Sequence, residues 1–93
     1  MKLISYPFAK MWKDIYDAIR RSGRPLSKHE IKDLLTNHYG RNTTPASVSQ
    51  TIANEWGKGN CSIYADVVGM NRHYVYNIDE AYYDQYARGV RGV

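Results

Sequence analysis

The 93-residue chain has a single cysteine, Cys61, so an intrachain disulfide is excluded. Cys61 is then either reduced, as in an ordinary cytosol, or bridged between two subunits. No apolar run approaches the ~18 residues of a membrane-spanning helix. The opening MKLISYPFAKMWKD also lacks the continuous apolar stretch of a secretory signal. The expectation is a cytoplasmic protein with no membrane partner. Acidic residues are in the minority, 9 against 13 Lys and Arg, giving a net charge of +4 and a pI near 9.3. That balance favours an acidic partner, nucleic acid first and a membrane surface second. Catalytic signatures such as G-x-S-x-G, a P-loop or H-E-x-x-H are missing, so no enzyme is expected. His29, His38, His73 and Cys61 fall on different segments without paired spacing, so neither a metal nor another cofactor is expected. Of the histidines, His38 is expected to border the core and His29 to face water. There is no internal repeat, low-complexity tract or linker, and residues 1–93 read as one domain.

What the chain does have is aromatic rings and clear helix punctuation. Nine Tyr, two Trp and one Phe are many for this length. Tyr suits half-buried positions, with a packed ring and a wet hydroxyl. Phe8, Met11, Trp12, Ile15, Ala18 and Ile19 recur at helical spacing and predict a helix over 7–22, stopped by Gly23. Ser27 and Glu30 form an S-x-x-E capping box that opens a helix over 28–39, with Ile31, Leu34, Leu35 and His38 on one face. The preceding Arg-Pro-Leu can add one short strand. Thr44 and Pro45 open a third helix over 45–56. On it Pro45, Val48, Ile52 and Trp56 point one way, and Ser47, Gln50 and Asn54 the other. Glu55 is its one charged residue. CSIYADVVGMNRHYVYNI then reads as a β-hairpin over 62–78, with GMNR at the tip. Asp79 can cap a short helix over 80–88.

The second and third helices, joined across GRNT, have the shape of a helix-turn-helix, and a following hairpin makes such a unit winged. Through LSKHEIKDLL, TTPASVSQTIANEW and SIYADVVGMNRHYVYNI the chain resembles the winged-helix DNA-binding domain, most closely the MarR-like regulators. Its size, added terminal helices and many Tyr also resemble the single-domain regulators encoded by archaeal viruses, whose compartment is the host cytoplasm. The resemblance implies a mainly α fold with a small β-hairpin (α+β), a winged helix-turn-helix with added N- and C-terminal helical segments. It implies a homodimeric, sequence-specific binder of double-stranded DNA at a pseudo-palindromic site, a transcriptional regulator and most simply a repressor.

The third helix would then enter the major groove. Reading base edges takes short side chains carrying donors and acceptors. Ser47, Gln50, Thr51 and Asn54 supply them, with Thr43 and Thr44 at the helix start. Backbone contacts would come from Lys28, Lys32, Arg41 and Lys58, and from Asn71, Arg72 and His73 at the wing. An Arg at the wing tip can enter a narrow minor groove. In MarR-like proteins the terminal helices make the dimer, which here implies Phe8, Trp12, Tyr16, Tyr82, Tyr83 and Tyr86. Two-fold symmetry would space the half-sites ~34 Å apart. Each reading has a plainer alternative: an uncharged polar face that is merely solvated, charges scattered for solubility, rings that wrap onto their own domain. The rival function is a winged-helix protein-interaction module that reads no bases. RNA binding is a further rival, although no standard RNA module is visible.

Overall fold

The apolar stripe of the first segment, a residue inward every third or fourth position, becomes the wall of the core. In the computed structural model, which describes residues 11–70 and 73–85, it lies on α1 (Met11–Ser22). Trp12, Ile15, Tyr16, Ala18 and Ile19 are buried there. Tyr16 thus joins the stripe, which is wider than the sequence suggests; Phe8 lies outside the described residues. Gly23 ends α1 with φ 68°, in the left-handed region, and its N–H donates to the carbonyls of Ile19 and Arg20 at 3.1 and 3.2 Å.

The capping box starts α2 (Lys28–His38) as expected. Glu30 N donates to Ser27 Oγ at 3.2 Å, and Ser27 N donates to Glu30 Oε1 at 2.9 Å. Arg24 adds a bond to Glu30 Oε2 at 2.9 Å. Ile31 and Leu35 are fully buried and Leu34 packs at the edge. His38, expected against the core, is instead exposed, and Tyr39 is the buried residue. The row 31, 35, 39 steps by four residues and leads directly to Tyr39, which caps the helix end. Its hydroxyl reaches back to donate to Asp17 on α1.

Thr44 caps α3 (Pro45–Gly57), accepting from Ser47 N at 3.1 Å with Pro45 in the first turn. Val48 and Ile52 are buried, while Trp56 at the margin stays 38% exposed. Its indole N–H donates to the carbonyl of Ile63 at 2.7 Å, tying the helix end to the first strand. The three helices pack on one another, with Ile15, Ile19, Leu26, Ile31, Leu35, Val48 and Ile52 between them.

β1 (Ile63–Val68) and β2 (His73–Ile78) pair antiparallel, from Ile63 opposite Ile78 to Val68 opposite His73. Gly69, with φ 77°, begins the turn between them. Alternation places Ile63, Ala65 and Val67 on one face with Ile78, Tyr76 and Tyr74. The base of this ladder, Ile63 and Tyr76, is buried against the helices. Leu26 forms a one-residue bridge to Tyr76 through two backbone bonds of 3.0 and 2.7 Å, so the short strand allowed before α2 is reduced to that bridge. A further helix, α4, covers residues 80–85 within the described part of the chain. Asp79 caps it, Oδ1 accepting from Tyr82 N at 3.0 Å. Among the described residues the result is an α+β domain of four helices and one hairpin. Among the described residues no helix is long and apolar enough to cross a membrane.

Candidate nucleic-acid interface

The outward face of α3 is built from its N-cap and its spacing. Ala46, Ser47, Gln50, Ala53, Asn54 and Gly57 are exposed, and none is charged or longer than Gln. Thr51 and Thr43 are half-buried beside them, and Thr44 is exposed at the start. The polar groups are already ordered. Gln50 Nε2 donates to Asn54 Oδ1 at 2.8 Å, one turn along. This leaves Gln50 with its carbonyl and one N–H, the pair that adenine requires, and Asn54 with its amide donors. Thr44 Oγ1 lies 3.1 Å from Ser47 Oγ, and the Thr51 hydroxyl donates to the Ser47 carbonyl at 2.8 Å. With its proton so used, Thr51 offers its methyl group and a lone pair.

Glu55, the one charge on the helix, is turned inward and only 7% exposed. Asn60 Nδ2 donates to Glu55 Oε1 at 2.9 Å, and Lys58 Nζ lies 3.3 Å from Oε2. Asn60 Oδ1 accepts from Ser62 Oγ at 2.6 Å and from Ser62 N at 3.2 Å, and the carbonyl of Ser62 accepts from Asp79 N at 2.8 Å. A buried polar chain therefore runs from the end of α3 through the turn to the start of α4. The sequence reading missed it, since Asn60 and Ser62 look like ordinary turn residues. The available signal was an acidic residue at a helix C-terminus, where the dipole disfavours it.

The expected phosphate contacts divide. Lys28 is exposed and pairs with no carboxylate among the described residues. Lys32 lies 3.7 Å from Asp33, and Lys58 keeps its side chain 58% exposed despite Glu55. Arg41 differs from these lysines. Its Nε bonds Asp14 on α1 at 2.5 Å, and the two side chains are only 19% and 18% exposed. The bond spans 27 residues of sequence and ties the turn before α3 to α1. Asn71 and Arg72 lie outside the described residues. His73 is exposed at the start of β2, opposite Val68 and next to the tip. Described residues of the hairpin carry one formal charge, Asp66.

The aromatic residues assigned to a subunit contact are largely used within the chain. Trp12 and Tyr16 are 4% and 5% exposed, members of their own core. Tyr83 stacks on Tyr16 with centroids 4.1 Å apart and meets Trp12 edge-on at 6.0 Å. Tyr82 is half-buried and donates its hydroxyl to the carbonyl of Gly59. The sequence does not show that α4 folds back on α1; Phe8 and Tyr86 fall outside the described residues. Burial pushes the Tyr16 hydroxyl up to about 12, with Glu80 adding to it. Burial, and then the bond to Asp17, push Tyr39 further in the same direction. Cys61 is exposed in the turn after α3. Among the described residues no group of three His, Cys, Asp or Glu is placed to hold a metal ion. The chain matches no protein-family model, no curated protein and no solved structure.

Proposed function

We propose that this chain is a winged helix-turn-helix regulator that binds double-stranded DNA sequence-specifically as a homodimer, most simply as a repressor, with α3 in the major groove. The observation that carries this is the outward face of α3. In a chain of net charge +4 that face holds no charge at all, only short polar and small side chains, with Gln50 and Asn54 held in a defined pair. Small residues at 46, 53 and 57 let the helix approach a surface closely. Lys28, Lys32 and Lys58 supply the sequence-independent attraction to phosphates. Arg72 at the hairpin tip is a further candidate from the sequence alone.

The test is the salt dependence of binding to a mixed-sequence duplex, followed by fluorescence anisotropy. Three lysines per subunit make about six phosphate contacts per dimer, for which log affinity falls with log salt at a slope of about −5. A slope near zero, or no binding at low salt, contradicts the reading. It would favour a protein-interaction module, for which the exposed apolar hairpin residues Val67, Val68, Met70 and Tyr74 are the supporting observation.

A further inference from the structure

The outward face of α3 is unequal in the bases it can read. In the major groove guanine presents two acceptors, cytosine an amino donor, adenine an acceptor beside a donor, and thymine an acceptor beside a methyl group. Guanine is read chiefly by the donors of Arg or Lys, and cytosine by the carboxylate of Asp or Glu. Residues 45–57 contain no Lys or Arg. The cations that flank them are each set against a carboxylate, Arg41 against Asp14 and Lys58 against Glu55. Glu55, the one acid of the helix, is buried and bonded to Asn60. The face thus lacks the side chains that suit guanine and cytosine. What it holds suits the other two bases. Gln50 gives one N–H to Asn54 Oδ1 at 2.8 Å and keeps a carbonyl and an N–H, the complement of adenine. Thr51 gives its hydroxyl proton to the Ser47 carbonyl at 2.8 Å, which leaves its methyl group as its main offering. Exposed Ala46 and Ala53 add methyl groups one turn to either side of Gln50, ~6 and ~4.5 Å along the helix axis. Apolar contact from Ala or a Thr methyl is how a thymine methyl is recognised.

We infer that the base pairs contacted by α3 are A·T pairs, with Gln50 on an adenine and the Thr51 methyl against the methyl of a neighbouring thymine. That assignment rests on the proposed function and adds which bases the function takes. It differs from an A·T preference set in the minor groove, where A·T and T·A look alike and a narrow groove attracts cations. The atoms that discriminate here are adenine N6 and N7 and the thymine methyl, all of them in the major groove. Ser47 can bond to several bases and decides nothing.

The test is selection of bound duplexes from a random pool by the whole chain, followed by competition with altered copies of the selected duplex. An adenine analogue with carbon in place of N7 removes only that acceptor, and uracil in place of thymine removes only the methyl. Neither change touches the minor groove. The expected result is A·T pairs at the positions where Gln50→Ala relaxes the preference. The adenine analogue there should weaken wild-type binding about tenfold, and Gln50→Ala binding far less. Uracil should cost about fourfold, the worth of one buried methyl. Thr51→Ser keeps the hydroxyl and loses the methyl, so it should bind the thymine and uracil duplexes equally. A uracil penalty that survives in Thr51→Ser overturns the Thr51 contact. G·C pairs at those positions overturn the inference and leave sequence-specific binding standing. So does an A·T consensus whose altered copies bind wild type as tightly as the parent, which would place the preference in the minor groove. A pool that stays random, or binding with a flat salt slope, overturns the proposed function and the inference with it.

Discussion

At the scale of single residues, Gln50 carries the most specific consequence. Its amide is held by Asn54, so under the proposed function it would meet a base with one donor and one acceptor already oriented. Replacing Gln50 with Ala should cost about 10- to 100-fold in discrimination at one base pair, the worth of one bidentate contact, and leave affinity for mixed-sequence duplex unchanged. Competition binding separates the two; an equal loss on every duplex removes Gln50 from base reading. Arg41 predicts the opposite pattern. It faces Asp14 in a half-buried pair, so Arg41→Ala should destabilise the fold by about 1–3 kcal/mol in urea unfolding by removing the charge-assisted bond that ties the turn before α3 to α1. If Arg41→Ala weakens DNA binding and leaves stability intact, the side chain is a phosphate ligand after all. The sequence shows both residues equally well. It does not show that Arg41 is paired, because that partner lies 27 residues back, whereas the partner of Gln50 is one helical turn away.

Elements were legible where their signals are local. Ser27 with Glu30, and Thr44 with Pro45, start α2 and α3 where those residues stand, because a cap acts within four residues. The polar chain Glu55–Asn60–Ser62 was not legible, since it depends on how the turn folds under α3. Asn60 sits between two groups that would otherwise be buried without it. Asn60→Ala should therefore cost about 1–3 kcal/mol and loosen the end of α3, read as faster amide exchange over 54–57 than over 45–50. Uniform exchange along α3 would mean that Asn60 does not hold the helix end. The α2 cap has a pH signature. The backbone N–H of Ser27, and then Arg24, hold the Glu30 carboxyl below its ordinary value of 4.5. The cap's contribution is thus complete above that value and is lost as pH falls through the depressed one. Glu30→Gln should flatten this part of the acid profile; an unchanged profile in thermal unfolding would show that Glu30 does not set it.

The whole molecule separates roles by surface: an uncharged face on α3, cations on α2 and after α3, and rings sealed between α1 and α4. That seal makes the fold sensitive to alkali. Tyr16, at about 12, ionises later in the folded chain than in the unfolded one, where the value is 10.0. Its stabilising effect is complete below 10.0 and falls away as pH rises toward 12, with Tyr39 acting in the same direction. Phenolate absorbance and circular dichroism followed together should show the last tyrosines ionising as structure is lost; full ionisation with structure intact would contradict the burial of Tyr16 and Tyr39. This sealing is also what the sequence could not convey, since an aromatic-rich chain looks the same whether its rings face a partner or each other. The other surface is the uncharged face of α3. Its most direct test is selection of bound duplexes from a random-sequence pool, carried out in parallel with Gln50→Ala. The account predicts a two-fold consensus with half-sites about one helical turn apart, and a preference that Gln50→Ala loses at one position in each half-site. A bound pool as random as the starting pool, or a consensus that Gln50→Ala leaves intact, would contradict it.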